Sequence, residues 1–242
     1  MGNERFCEKS KNFVANSEFS GTLDVTSVSG ALMAHVAVFL APGFEEIEAL
    51  TVVDYLRRAN VHVTTVSVPA ENAESAADSL NVNGSHAITV VADTLLKDFI
   101  NEMADGEPDA IYFPGGMPGA SNLAANQYLF QLATKMDRKG KLIAAMCASP
   151  AVVLAKTGIL ASRKWTCYPG MENNLAEYCG TEDWAKEATE NSRHISDVPY
   201  VLDNNVLTGR GPGTAEQFAM KLVEILTDAA TAKKIHDGSC QR

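Results

Sequence analysis

The sequence predicts an α/β protein built on a mostly parallel sheet with helices on both faces. Three observations predict it. Short apolar, β-branched runs alternate along the chain with segments of helical periodicity. The central runs stop at turns rich in glycine and proline. The chain has 242 residues, of which 46% are hydrophobic and 21% charged, which is enough to bury a continuous core. Strands that alternate with helices need crossover connections, and these lay helices on the two faces of a parallel sheet.

The elements follow in order. His35 to Leu40 (HVAVFL) reads as a buried strand closed by Pro42-Gly43. Glu45 to Arg58 reads as a helix, with Ile47, Leu50, Val53 and Leu56 at helical spacing as the stripe expected to face the core. Acids fill its first turn and Arg57-Arg58 its last, matching the helix dipole. Val61 to Val68 is a second strand, and Ala87 to Ala92 a third in a side hairpin. Ala110 to Phe113 (AIYF) is a strand that ends at Pro114-Gly115-Gly116. A helix through Tyr128 to Arg138 follows, then an apolar strand from Leu142 that stops at Cys147, where a helical pattern starts at once. Val206 to Thr208 is a late strand, and Thr214 to Leu226 a late helix that Thr214 can cap. No internal repeat interrupts this series.

Composition excludes several function classes. A net charge of −10 argues against a nucleic-acid backbone or an anionic membrane as the main partner. No apolar stretch approaches the ~20 residues that span a bilayer. The cysteines are Cys7, Cys147, Cys167, Cys179 and Cys240, an odd set without a C-x-x-C pair. Neither a disulfide framework nor a zinc site is expected from them, and a reducing, cytoplasmic setting fits. Residues 1 to about 33 are rich in Ser, Asn and Glu and are expected to form a mobile extension. Met1-Gly2 with Cys7 has the outline of a double acylation signal, but Phe6 stands where that pattern wants Ser or Thr. The remainder, 34–242, is expected to be one domain.

In open parallel sheets, ligands bind outside the carboxyl ends of the strands. Four turns leave such ends: Pro42-Gly43-Phe44-Glu45, Pro114-Gly115-Gly116, Cys147-Ala148-Ser149 and Arg210-Gly211-Pro212-Gly213-Thr214. Cys147 is the leading candidate. Most free cysteines are inert core residues, but this one stands at the end of an apolar run rather than inside it. That is the position of a nucleophile elbow, and the helix that follows favours a thiolate. Glu45 and Glu46 read as first-turn acids that stabilise the helix dipole. Glu48 lies on the side of the stripe that turns inward, where a carboxyl needs a polar neighbour and a thiol would serve. Gly115-Gly116 is not a nucleotide loop: the G-x-G-x-x-G spacing and a Walker lysine are absent, and acids in the first turn would repel a phosphate. The pair suits backbone N–H groups brought close to a reacting oxygen, with Gly115 equally readable as a plain turn glycine. Arg210 would hold loops or bind a carboxylate. No histidine sits in a recognisable catalytic pattern, and His194 alone keeps a claim on the site.

These four turns also carry a resemblance. Leu40-Ala41-Pro42-Gly43-Phe44-Glu45-Glu46-Ile47-Glu48, Pro114-Gly115-Gly116, Ile143-Ala144-Ala145-Met146-Cys147-Ala148-Ser149-Pro150 and Arg210-Gly211-Pro212-Gly213-Thr214, in that order over roughly 200 residues, resemble the ThiJ/PfpI superfamily, in particular its parkinsonism-associated deglycase and bacterial ThiJ-like branch. The resemblance implies a flavodoxin-like three-layer sandwich in a single class I glutamine amidotransferase-like domain, and a homodimer joined through the first helix. It implies Cys147 as nucleophile, Glu48 as the acid bonded to it, and Gly116 and Ala148 as oxyanion donors. It implies no cofactor and no metal. The activity it implies is conversion of small reactive aldehydes such as methylglyoxal or glyoxal, or of glycated protein adducts, to hydroxy acids. The alternative it implies is a redox-sensing, chaperone-like protein acting through oxidation of Cys147. Two departures matter. Tyr168, in Trp165-Thr166-Cys167-Tyr168-Pro169, replaces a histidine that many relatives carry; with a pKa of ~10 it can relay a proton but is a poor base. Ala148 stands where protease-type relatives have histidine, so peptidase activity is not expected.

Overall fold

A computed structural model of the chain describes residues 33–70, 79–103 and 106–241. The expected N-terminal extension and acylation signal lie outside the described residues, apart from the exposed Met33.

The main sheet has seven strands. In chain order they are β1 (His35–Leu40), β2 (His62–Ser67), β5 (Thr94–Leu95), β6 (Ala110–Phe113), β7 (Leu142–Met146), β10 (Tyr200–Asp203) and β11 (Val206–Gly209). Their spatial order is β10-β11-β7-β6-β1-β2-β5, and every neighbouring pair is parallel except β10 with β11. The chain leaves β1 towards β2 and β5, then returns to the other side of β1 as β6. The carboxyl ends of β1 and β6 therefore flank the point where the winding reverses, the place where such sheets bind ligands. Outside this sheet, β3 (Asn81–Asn83) and β4 (Thr89–Val91) form the side hairpin, and β8 (Lys164–Trp165) pairs in parallel with β9 (Arg193–His194).

Period-two alternation sends side chains to the two faces. Val36, Val38 and Leu40 of β1, with Ala110 and Tyr112 of β6, join one core with residues of α1 (Glu46–Arg58) and α8 (Ala215–Leu226). Ala37, Phe39, Ile111 and Phe113 join the opposite core under α2 (Leu96–Glu102), α3 (Gly119–Ala125) and α4 (Gln127–Arg138). Phe39 stacks on Phe113 and meets the edge of Phe99. Burying one such ring contributes roughly 1.5–3 kcal/mol. The architecture is the expected α/β sandwich with helices on both faces.

The smaller elements are α5 (Ala155–Thr157), α6 (Leu175–Cys179), α7 (Glu182–Ala188) and α9 (Ala229–Gly238). After β7 the helix begins as a π-helical turn, Pro150–Leu154.

One expectation fails in detail. The stripe on α1 is not Ile47-Leu50-Val53-Leu56: Ile47 is 56% and Leu50 38% exposed. The buried face is Glu46, Glu48, Ala49, Val52, Val53, Tyr55 and Leu56. α1 packs against α8 as well as the sheet, so its buried arc is rotated and takes in acids that the hydrophobic count ignores. Thr214 also departs: its hydroxyl donates to the Gly211 carbonyl instead of capping α8.

Candidate active site

Three adjacent parallel strands deliver the site. Glu48 lies in the first turn after β1, Gly115 and Gly116 follow β6, and Cys147 follows β7. Cys147 has φ +59°, a left-handed conformation that a non-glycine residue takes only under strain. Its N–H donates to Gly209 O at 2.9 Å, and its carbonyl accepts the Tyr168 N–H at 2.8 Å. The turn is therefore clamped from both sides, as an elbow requires. Next along the chain, the buried Ser149 hydroxyl donates to Pro114 O at 2.6 Å and locks this turn to the one after β6.

Glu48 is fully buried. Glu45 caps α1 by accepting the Glu48 N–H at 2.7 Å, and the Tyr112 hydroxyl donates to the Glu48 carbonyl at 3.2 Å. The carboxyl Oε2 accepts the Gly115 N–H at 2.7 Å. The other oxygen, Oε1, is buried without an N–H or O–H partner among the described residues. The Cys147 side chain and this carboxyl face each other across Gly115, and each shifts the ionisation of the other. Burial pushes the Glu48 carboxyl up to about 8 against the pull of the Gly115 N–H and the thiol, and the negative Glu45 adds to the rise. Burial and a charged Glu48 push the Cys147 thiol up, while the backbone N–H groups of Gly116 and Ala148 pull it down. Two negative charges cannot share this space, so the pair titrates as a unit and keeps one proton when it first ionises.

The six residues singled out in the sequence therefore divide. Cys147, Glu48, Gly116 and Ala148 meet at one point. Tyr168 reaches Cys147 through its backbone N–H; its ring is 49% exposed beside Gly211, and its hydroxyl contacts neither Cys147 nor Glu48 among the described residues. Arg210 holds a loop, with its guanidinium on Asp197 at 2.9 Å and its N–H on Pro199 O.

Two features escaped the sequence. Gly115 is more than a turn glycine: a Cβ there would stand 2.5 Å from Cys147 Cβ and 2.8 Å from Glu48 Oε2. Only a bare backbone lets the strand end pass between thiol and carboxyl. Glu46 is also no surface acid. It is buried and accepts from His86 N–H at 2.7 Å, His86 Nδ1 at 2.9 Å and Ser85 Oγ at 3.3 Å, anchoring the β3–β4 hairpin to α1. Although burial pushes the Glu46 carboxyl up, these bonds pull it down to about 2.

Comparison with known proteins places this arrangement. Protein DJ-1 homolog B of Arabidopsis thaliana is 34% identical over 214 residues, 88% of this chain and 43% of its own length. The chain thus spans less than half of that relative, and likewise 45% of the Arabidopsis homolog A. A Caenorhabditis elegans protein named glutathione-independent glyoxalase DJR-1.2 is 33% identical over 182 residues, 75% of this chain and 82% of its own. The crystal structure of Drosophila melanogaster DJ-1beta superposes with a TM-score of 0.71 at 29% identity, covering 86% of this chain and 98% of that one. The model of the DJ-1/PfpI family matches residues 34–225, from the start of β1 almost to the end of α8. With the thiol, the buried acid and the glycine turn all inside that span, the chain belongs to the DJ-1/PfpI family.

Proposed function

We propose that the protein is a cofactor-independent, cysteine-dependent glyoxalase acting on small α-oxoaldehydes. The observation that carries the reading is the juxtaposition of Cys147 and the Glu48 carboxyl on either side of Gly115, with that carboxyl held up at about 8 by burial. The reactive form of the coupled pair is the one in which Glu48 keeps the shared proton and the charge lies on sulfur, where the N–H groups of Gly116 and Ala148 favour it. The sulfur attacks the aldehyde carbon, forming a C–S bond, and the carbonyl oxygen takes the proton to give a hemithioacetal. The same N–H groups stabilise the oxygen while it is negative. Glu48 then removes the proton from this carbon and returns one to the neighbouring carbon through an enediol, leaving a thioester. Water cleaves the thioester to the 2-hydroxy acid and frees the thiol, so methylglyoxal and one water yield lactate. The same attack on early glycation adducts would be a deglycase activity.

The name of the Caenorhabditis elegans relative supports the glyoxalase reading. The exposed Ile47 and Leu50 of α1 support a homodimer through that helix. Ala148, in place of a histidine, speaks against peptidase chemistry.

The test is lactate formation from methylglyoxal by the full chain, without glutathione. Cys147→Ser and Glu48→Ala are expected to abolish it; undiminished turnover in Cys147→Ser would end the proposal. A second reading, redox sensing through Cys147, draws on the uncommitted Glu48 Oε1, whose acid form could donate to an oxidised sulfur. Mild peroxide followed by mass spectrometry separates the two. Selective gain of two oxygens on Cys147 in a chain without turnover favours the sensor.

A further inference from the structure

A second cluster of chemistry-bearing side chains lies behind Tyr168. Cys167 Sγ stands 3.7 Å from His194 Nε2 and 3.8 Å from Glu172 Oε2. All three atoms lie within 4.8 Å of one another. The sulfur is also 3.4 Å from Tyr168 O. We propose that Cys167, Glu172 and His194 form a binding site for a thiophilic divalent cation of the zinc class.

Distances argue for it first. In a tetrahedral site with Zn–S at about 2.3 Å and Zn–N or Zn–O at about 2.0–2.1 Å, neighbouring ligand atoms stand about 3.6 Å apart. The sulfur already keeps nearly that separation from its two partners, at 3.7 and 3.8 Å, and the imidazole and carboxylate stand within 4.8 Å of each other, so an ion closes a triangle that is already assembled.

The scaffold argues for it next. Register between β8 and β9 sets Trp165 opposite His194, and Ile195 N–H donates to Trp165 O at 2.8 Å. This pairing carries His194 to the strand that continues into Cys167. The Trp165 indole meets the imidazole edge-on, with centroids 5.0 Å apart, and its own N–H is tied to Ser192 Oγ at 3.2 Å. The indole so fixed packs against the imidazole and restricts its rotation. Glu172 arrives on a separate 3₁₀ turn, Met171–Asn174, which the Met171 N–H to Tyr168 O bond folds back over Cys167.

Donor chemistry argues for it last. One thiolate, one imidazole and one carboxylate suit zinc and exclude magnesium or calcium, which take oxygen ligands. Cys167 is buried, while Glu172 and His194 are half-buried, so three protein ligands leave a fourth position on the outer side for water. Cys167 adjoins Tyr168, whose N–H holds the Cys147 carbonyl, so the ion would brace a wall of the thiol pocket. The site does not depend on the activity proposed above.

The experiment is a Zn²⁺ titration of the reduced, metal-free full chain against a chromogenic chelator, with Mg²⁺ in excess. One equivalent is expected to bind, with loss of more than the about 10–100-fold typical of outer-shell changes in Cys167→Ser and in His194→Ala. Glu172→Gln, the mildest change, is expected to bind more weakly, and Cys147→Ser to bind as the wild type does. Co²⁺ in the Cys147→Ser chain is expected to show a thiolate-to-cobalt charge-transfer band, which reads sulfur ligation without disturbing the cluster. Absence of stoichiometric binding, binding that survives Cys167→Ser, or binding lost in Cys147→Ser would each overturn the proposal.

Discussion

Replacing Glu48 by glutamine is expected to stabilise the folded protein, and by an amount that depends on pH. Burial raises this carboxyl from 4.5 to about 8. Below pH 4.5 the group is protonated whether the chain is folded or not. Between 4.5 and about 8 the folded state retains a proton that the unfolded chain has released, so wild-type stability falls as pH rises through that window. At ~1.4 kcal/mol per pH unit, the cost reaches ~3 kcal/mol by pH 7 and approaches ~5 kcal/mol above pH 8. Glutamine keeps the acceptor for the Gly115 N–H and removes the titration. Urea unfolding of both chains at pH 5, 7 and 8.5, followed by far-UV circular dichroism, measures the difference. At pH 7 the glutamine variant should unfold at a midpoint about 1 M higher, and at pH 5 the gap should shrink below ~1 kcal/mol. A variant no more stable than wild type at pH 7, or a gap that ignores pH, would refute the reasoning. The expected gap would mark Glu48 as a residue that the fold tolerates at a cost in stability.

The remaining predictions concern geometry. Gly115→Ala pushes a methyl group to 2.5 Å from Cys147 Cβ; it should cost ~1–3 kcal/mol in thermal or urea unfolding and lower methylglyoxal turnover on the order of 10²-fold. Full turnover in a folded Gly115→Ala chain would contradict the close passage between thiol and carboxyl. His86→Ala removes one of the donors that hold the Glu46 carboxyl down at about 2. Hydrogen exchange should then quicken across 80–92 while β1, β6 and β7 keep their protection, and uniform protection would show that the hairpin stands without this pair.

How much of this was legible in the sequence depended on how local each cause was. The elbow at Cys147 could be read because its cause is local: an apolar strand stops and a helix starts within one residue. The inward placement of Glu48 could be read too, yet from a stripe whose outer half, Ile47 and Leu50, faces solvent. At about 100° per residue, Glu48 falls almost opposite the centre of that stripe, and it is inside because the buried arc is rotated and runs through Glu48, Val52, Tyr55 and Leu56. The hairpin strand Asn81–Asn83 carries two asparagines and one valine, so no hydrophobic pattern announces it. The need for a bare backbone at Gly115 comes from two side chains 67 and 32 positions away along the chain. Cys167, Glu172 and His194 have no ligand-like spacing, because two-residue strands and a 3₁₀ turn bring them together.

The clamped turns at the sheet edge have a dynamic consequence. The N–H groups of Cys147, Glu45 and Gly115 are each committed to a partner on another segment: Gly209, Gly115 and Glu48. Those segments leave β1, β6, β7 and β11, none of them an edge strand of the sheet. The floor of the pocket therefore breathes only when the core opens, on the slow timescale of global unfolding. For the activity proposed above, Met117 and Tyr168 are exposed positions beside that floor, where a side chain can change without moving a strand.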